Sequence, residues 1–325
     1  MSEKIIVYRK VDEQVLNYLR EYAEVVYFEK LTPENMDEFY SELETTTVLL
    51  GSLLKIDESL LNKAPNLKMV ANSSVGYDNL DLQALKSRGI IASNTPEVLN
   101  ETVADTIFGL ILSTARRMPE LVQWVKNGEW NENLTEEYFG VDVHHKKLGI
   151  IGMGRIGQTL AQRAHFGFGM DIYYHNRSRN LEVEERFNAT FCSLDDLLQE
   201  VDFVCLLTPL TKETEKMMGY EQFKKMKPSA IFINASRGKT VDEEGLIQAL
   251  QDGEILAAGL DVYEKEPVDK NSPLLSMKNV VTLPHIGSAT SETRLKMTML
   301  AAQNAVAYLT GKEIPTEIKV KLETH

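Results

Sequence analysis

Three stretches of the chain run from strand-like residues into side chains suited to handling a carboxylate, a proton and a carbonyl oxygen. Ile231-Phe232-Ile233-Asn234-Ala235-Ser236-Arg237-Gly238 ends in an arginine. Ala257-Ala258-Gly259-Leu260-Asp261-Val262-Tyr263-Glu264-Lys265-Glu266-Pro267 carries three acids past its apolar start. Val280-Val281-Thr282-Leu283 leads into Pro284-His285-Ile286-Gly287-Ser288. In an open α/β sheet, ligands bind beyond the carboxyl ends of the strands, where all three polar groups would fall. Arginine can clamp a carboxylate with two parallel hydrogen bonds, and histidine can protonate a carbonyl oxygen as a hydride reaches its carbon. Each residue alone has an ordinary surface explanation; the ordered set does not. The other histidines lack such a setting. His144 and His145 lie in a basic run with Lys146 and Lys147, His165 is near a helix end, His175 is in a turn, and His325 is terminal.

A hydride needs a carrier. Leu148-Gly149-Ile150-Ile151 runs into Gly152-Met153-Gly154-Arg155-Ile156-Gly157, a GxGxxG turn between a strand and a helix. Its glycines permit a tight turn, the close approach of a pyrophosphate and tight helix–strand packing, and the helix N-terminus faces the anion. An NAD site would place an acid at the end of the next strand, on the ribose hydroxyl. Here Met170-Asp171-Ile172-Tyr173-Tyr174 ends instead in His175-Asn176-Arg177-Ser178-Arg179, with its acid at the wrong end. Arg177 and Arg179, helped by Ser178, suit a 2′-phosphate, so NADP(H) is the expected cofactor, with NAD(H) possible.

These side chains need a frame. β-branched runs at 5–8, 25–28, 46–50, 67–71 and 90–93 alternate with helical patterns at 13–22, 33–43, 56–61 and 80–86. A long helical pattern spans 98–126, with a break or kink expected at Pro119. A second series has strands at 148–151, 171–174, 189–192, 202–206, 230–234, 256–261 and 279–283, and 291–309 reads as a final helix. Strands alternating with helices predict parallel sheets, here two of them.

Composition narrows the partners. Lys and Arg total 35 against 48 Asp and Glu, a net charge of −13 that repels nucleic acid and anionic membranes. No apolar run is long enough to span a bilayer, and the N-terminus does not read as a signal peptide. Cys192 and Cys205 cannot make a disulfide framework or a CxxC motif. A cytoplasmic protein is expected, with no nucleic-acid or membrane partner and no metal.

Taken in order, GMGRIG, FINASRG, AAGLDVYEKEP and LPHIGSAT resemble the D-isomer-specific 2-hydroxyacid dehydrogenases, and most of all their glyoxylate/hydroxypyruvate reductases. Val75-Gly76-Tyr77-Asp78-Asn79 and Asn94-Thr95-Pro96 are similar to the family's substrate loop and domain crossing. The resemblance implies that Arg237 orients the substrate carboxylate and polarises the keto oxygen. It makes His285 the general acid in reduction, with Glu266 paired to it and favouring its protonated form. It implies that the Val75 and Gly76 amides hold the substrate carboxylate. Asp261 would contact the nicotinamide carboxamide. Thr102, Thr208, Pro209, Ala235 and Gly287 would line the cofactor, with Arg155 and Ile156 at the pyrophosphate between Gly152, Gly154 and Gly157, and Asn176 in the phosphate turn. A glutamate at 266 argues against the formate dehydrogenase branch, which carries glutamine there.

The resemblance also implies an architecture. It has two doubly wound parallel-sheet domains, with a Rossmann cofactor domain (101–288) inserted into a flavodoxin-like substrate domain (1–100 and 289–325), and the active site in the cleft between them. The 98–126 helix and the Trp130 loop would form a homodimer interface. Gly51-Ser52-Leu53-Leu54-Lys55, after a substrate-domain strand, would reach the cleft and supply part of the pocket wall. The expected substrate is a small 2-oxo acid, glyoxylate or hydroxypyruvate. Alternatives are 2-ketogluconate, a branched 2-oxo acid, or a cofactor-sensing interaction protein on the same fold.

Overall fold

The computed structural model describes residues 3–319; His325 lies outside the described residues. The chain divides into two units, one comprising the residues up to Leu99 and from Ala289 onward, the other Asn100–Ser288.

The first unit is built on a five-stranded parallel sheet: β1 (Lys4–Val7), β2 (Glu24–Tyr27), β3 (Val48–Gly51), β4 (Met69–Asn72) and β5 (Ile91–Ser93). Their spatial order is β2-β1-β3-β4-β5. Side chains alternate across a strand, so a buried parallel strand must be apolar on both faces. Ile6, Leu49 and Val70 accordingly join one core with Phe39, Leu60 and Leu85. Ile5, Val7, Val48, Leu50, Met69 and Ala71 join the other with Leu16, Leu19, Ala301 and Ala305. That second face is covered by the helices Glu13–Arg20 and Ser291–Leu309, so the end of the chain completes the domain that its beginning started.

The second unit has seven parallel strands: β6 (Lys147–Ile151), β7 (Asp171–His175), β8 (Thr190–Phe191), β9 (Phe203–Leu206), β10 (Ile231–Asn234), β11 (Ala257–Leu260) and β12 (Val280–Thr282). Their order, β12-β11-β10-β9-β6-β7-β8, reverses between β6 and β9, the doubly wound arrangement that binds dinucleotides at the reversal. Both sheets of the expected α/β fold are thus present.

One boundary differs from expectation. The 98–126 pattern forms two helices, Asn100–Ala115 and Met118–Lys126. The break falls at Arg117, whose φ of 55° is left-handed, and not at Pro119. A proline is tolerated in the first turn, where its missing N–H would have no intrahelical partner, so Pro119 starts the second helix and does not kink the first.

Candidate active site

At the β6 end the glycine turn has the shape its spacing predicts. Gly152 adopts φ +102°, and a Cβ there would stand 2.8 Å from the Leu207 carbonyl carbon, beyond the end of neighbouring β9. A Cβ on Gly157 would lie 2.7 Å from the Gly152 carbonyl oxygen, so only glycine lets the helix Arg155–Gln162 pack this closely. Gly154 is different: nothing stands within 4 Å of its Cβ position. The crowding at 152 and 157 is structural, whereas the open space over Gly154, beside the unspent amides of the helix's first turn, fits a dinucleotide pyrophosphate. Arg155 and Ile156 open that helix. Thr208 and Pro209 follow β9, where Thr208 Oγ1 lies 3.6 Å from Met217 Sδ and the Pro209 carbonyl accepts from Thr214 Oγ1 at 2.6 Å.

The Asn176–Arg179 turn beyond β7 is less uniform than its sequence suggests. Asn176 Oδ1 accepts from the Met153 amide at 2.8 Å, so this side chain braces the glycine turn from the next strand. Arg177 and Ser178 are exposed. Arg179 spends its Nε–Nη2 edge on Glu184, with contacts of 2.6–2.9 Å. Glu184 also accepts from the Tyr174 hydroxyl at 2.8 Å. The hydrogen bond from Arg179 is the main reason the Glu184 carboxyl sits below its usual range. Among the described residues, Arg177 and Ser178 are therefore the groups of this turn not already committed to a partner.

The three chemistry-bearing stretches all end at one edge of the seven-stranded sheet, after the adjacent strands β10, β11 and β12. His285 Nδ1 lies 2.7 Å from Glu266 Oε2, and the other oxygen of that carboxylate accepts the Tyr263 amide at 3.1 Å. Burial alone would raise the Glu266 carboxyl; its hydrogen bond to His285, the charges of His285 and Arg237 and the Tyr263 amide outweigh that and hold it low. His285 sits at φ +54°, a left-handed conformation costly for a residue with a Cβ. What keeps it there is Asp261, buried at 1% exposure, whose two oxygens accept the Ile286 amide at 2.7 Å and the Gly287 amide at 2.8 Å. Burial raises the Asp261 carboxyl despite those two amides. Asp261 is thus, within this unit, the anchor of the histidine loop, a role that its sequence position does not suggest.

Beneath Arg237 lies a buried polar network. Thr240 Oγ1 donates to the Arg237 carbonyl at 2.6 Å, and Asn234 Nδ2 reaches the same oxygen at 3.3 Å. Ser236 Oγ donates to Asn234 Oδ1 at 2.8 Å. Next to it, a Cβ on Gly238 would stand 1.8 Å from the Tyr263 carbonyl carbon. The backbone carrying Arg237 is therefore pressed against the backbone that leads to Glu266. Ala235 lies between Asn234 and Ser236 of this network, half-buried. Thr102 and Gly287 meet through one side chain, since Thr106 Oγ1 donates to both carbonyls.

Val75 and Gly76 belong to the other unit, just past β4. Asn94 Nδ2 donates to the Val75 carbonyl and Asn72 Nδ2 to the Gly76 carbonyl, both at 2.9 Å, while the Thr95 amide holds Ser74. A trans peptide points its N–H opposite its C=O, so each pinned carbonyl also fixes the direction of the amide in the same peptide unit. Sequence alone names the loop but not the two asparagines that orient it. Among the described residues no cluster of metal-ligating side chains occurs, and no helix is long and apolar enough to cross a membrane.

The model of the D-isomer specific 2-hydroxyacid dehydrogenase NAD binding domain matches residues 108–287. A glyoxylate/hydroxypyruvate reductase B of Klebsiella pneumoniae subsp. pneumoniae is 53% identical over 311 residues, 96% of each chain. Among solved structures, a protein of Thermus thermophilus superposes with a TM-score of 0.90 at 38% identity, covering 97% of this chain and 100% of that one. The NADPH-dependent glyoxylate/hydroxypyruvate reductase of Sinorhizobium meliloti, solved with NADP and malonate, does so with a TM-score of 0.85 at 34% identity, over 98% and 97%. Glycine turn, sheet order and likeness along nearly the whole length agree: the chain belongs to the D-isomer specific 2-hydroxyacid dehydrogenase family and is an NAD(P)-dependent oxidoreductase.

Proposed function

We propose that the protein reduces glyoxylate or hydroxypyruvate to the D-2-hydroxy acid with NADPH, using His285 as the general acid. The observation that carries this reading is the His285–Glu266 contact at 2.7 Å, next to a backbone that Asp261 holds in place. With Nδ1 engaged by Glu266, Nε2 is the nitrogen left to meet the substrate. The cofactor, when bound, supplies the hydride. The residues of the chain do the rest: Arg237 and the Val75 and Gly76 amides hold the carboxylate, Arg237 polarises the keto oxygen, and His285 delivers the proton to it. Asp261 would contact the nicotinamide carboxamide through acceptor capacity left beyond its two amides. Thr102, Thr208, Pro209, Ala235 and Gly287 would line the cofactor, and Arg177 with Ser178 would favour its 2′-phosphate. The 53% identical Klebsiella reductase and the NADP-bound Sinorhizobium reductase support the substrate and the cofactor preference.

The same proposal includes a homodimer. Met118, Val122, Val125, Trp130, Leu134 and Phe139 are all exposed within one short stretch, apolar surface that a second copy would cover. A cytoplasmic setting fits two cysteines that are both free. The deciding experiment follows NADPH and NADH oxidation against glyoxylate, hydroxypyruvate, 2-ketogluconate and branched 2-oxo acids, with Arg237→Lys alongside. Turnover of the first two, with NADPH the better cofactor and a large fall in kcat/KM when the planar guanidinium is replaced, is the expected result. No turnover of either acid, or an unaltered lysine variant, overturns it.

A further inference from the structure

The five-stranded unit carries a charge arrangement that the proposed reaction does not use. Its strand order reverses between β1 and β3, and in such a sheet ligands settle outside the carboxyl ends at the reversal. Arg9 stands two residues past β1 and Ser52 one residue past β3. Because Val7 pairs with Leu50, Arg9 and Ser52 lie at the same register level on either side of that crevice. Arg9 Nη1 donates to Ser52 Oγ, and Ser52 is buried. Arg294 lies near the start of the helix Ser291–Leu309, the positive pole of its dipole, close enough to Arg9 for their charges to repel.

Both arginines are half-buried, and burial disfavours the charged form of each. On a chain with 48 acids, neither has a carboxylate partner among the described residues. Two half-buried guanidiniums close enough to repel and without a carboxylate counter-ion cost desolvation and repulsion together. A bound anion removes both costs, and a planar guanidinium fork matches a carboxylate or a phosphate.

We propose that Arg9, Ser52 and Arg294 form an oxyanion subsite for the far end of the substrate, selecting 2-oxo acids whose tail bears a carboxylate or a phosphate. This rests on the proposed reductase activity and extends it to a substrate class. Leu50 pairs with Ala71, so Ser73 is the register neighbour of Ser52, and Val75 is two residues further on. Ser52 therefore stands one strand spacing and Arg9 two from the strand that leads to the Val75–Gly76 loop, roughly 5 and 10 Å between backbones. Arginine side chains reach across part of that distance, leaving room for an acid of about five or six carbons between its two charges.

The test uses matched pairs on the NADPH-saturated enzyme. 2-Oxoglutarate is compared with 2-oxopentanoate for a carboxylate tail, and 3-phosphohydroxypyruvate with hydroxypyruvate for a phosphate tail. In Arg294→Gln the kcat/KM ratio of charged over neutral partner falls about tenfold or more, chiefly through KM, for whichever tail the subsite takes. Arg294→Lys recovers part of the loss, and Arg9→Gln reproduces it should Arg294→Gln not fold. Ratios equal in wild type and both glutamine variants overturn the subsite, while turnover of hydroxypyruvate leaves the reductase reading standing. If none of the four acids is reduced, that reading fails, and thermal melting of the NADP-bound enzyme decides the subsite separately. A midpoint raised by 2-oxoglutarate or 3-phosphohydroxypyruvate over its neutral partner in wild type, but not in Arg294→Gln, sustains it; equal midpoints overturn it.

Discussion

At the scale of single residues, the two arginines after β7 are not equivalent. Arg179 is paired through two nitrogens with Glu184, so its loss would disturb the fold as well as any phosphate contact. Arg177 is exposed, and its charge pulls on Glu213 through space. A charge-assisted hydrogen bond contributes about 1.5–3 kcal/mol, so Arg177→Ala should lower the ratio of NADPH to NADH efficiency by roughly 10- to 100-fold. Steady-state kinetics with both cofactors measures it, and an unchanged ratio would remove Arg177 from the phosphate site. The second residue-scale prediction concerns the proton. In the proposed reduction His285 delivers a proton to the keto oxygen, and Glu266 Oε2 holds its Nδ1 at 2.7 Å, which fixes the ring with Nε2 left to donate. Glu266→Gln keeps the shape and removes the charge. Reductive kcat should fall, by up to roughly 10²–10⁴ if proton delivery is lost with the ring's orientation, while NADPH affinity is largely kept. A wild-type kcat in Glu266→Gln would separate the 2.7 Å contact from the chemistry.

Among the elements, the loops after β10, β11 and β12 act as one assembly. Gly238 lets the Arg237 backbone press on Tyr263, Tyr263 donates its amide to Glu266, and Asp261 fastens the loop of His285. Only a carboxylate offers two acceptor oxygens to two neighbouring amides; an asparagine offers one oxygen and an NH2 group. Asp261→Asn should leave one buried amide facing a donor and destabilise the protein by about 1–3 kcal/mol. It should also lower kcat, because the left-handed backbone at His285 loses its tether. Denaturant unfolding and kcat are the two readouts, and a variant with wild-type stability would mean the loop holds its shape without Asp261.

For the molecule as a whole, carboxyls held low by the fold make it sensitive to acid. Asp202 accepts the Lys147 amide at 2.9 Å and the Lys227 ammonium at 2.9 Å, joining the start of β6 to the chain just before β9. Burial would raise this carboxyl, but those two donors and the lysine charges together bring it below its ordinary value of 3.8. A carboxyl that is lower in the folded than in the unfolded chain contributes in full above the unfolded value, and the contribution is lost as pH falls through the folded one. Stability should therefore decline below about pH 4, and less steeply in Asp202→Asn, as followed by thermal melting across the acid range. Asp261 has the opposite sign: being raised, it favours the fold most while protonated, and that benefit is lost as pH rises past 3.8.

Much of this protein was legible before any coordinates. The alternation of β-branched runs with amphipathic segments determines two parallel sheets, because a strand buried on both faces has to be apolar throughout. Gly152, Gly154 and Gly157 announce a dinucleotide turn, because only glycine accepts φ +102° at 152 and a backbone contact at 157. Arg237, Glu266 and His285 stand out because each follows such a run. What sequence could not supply is who meets whom across long separations. Glu184 claiming Arg179, Asp261 reaching Ile286 and Gly287, and Asn94 turning the Val75 peptide are hydrogen bonds whose partners are chosen by where the chain returns in space. The placing of Arg9, Ser52 and Arg294 around one crevice likewise depends on β1 and β3 becoming neighbours and on the last helix packing back onto the first domain. Local patterns set which elements form, because backbone geometry and burial act over a few residues. Register and strand order set which side chains share a site, because those depend on the packing of the whole chain.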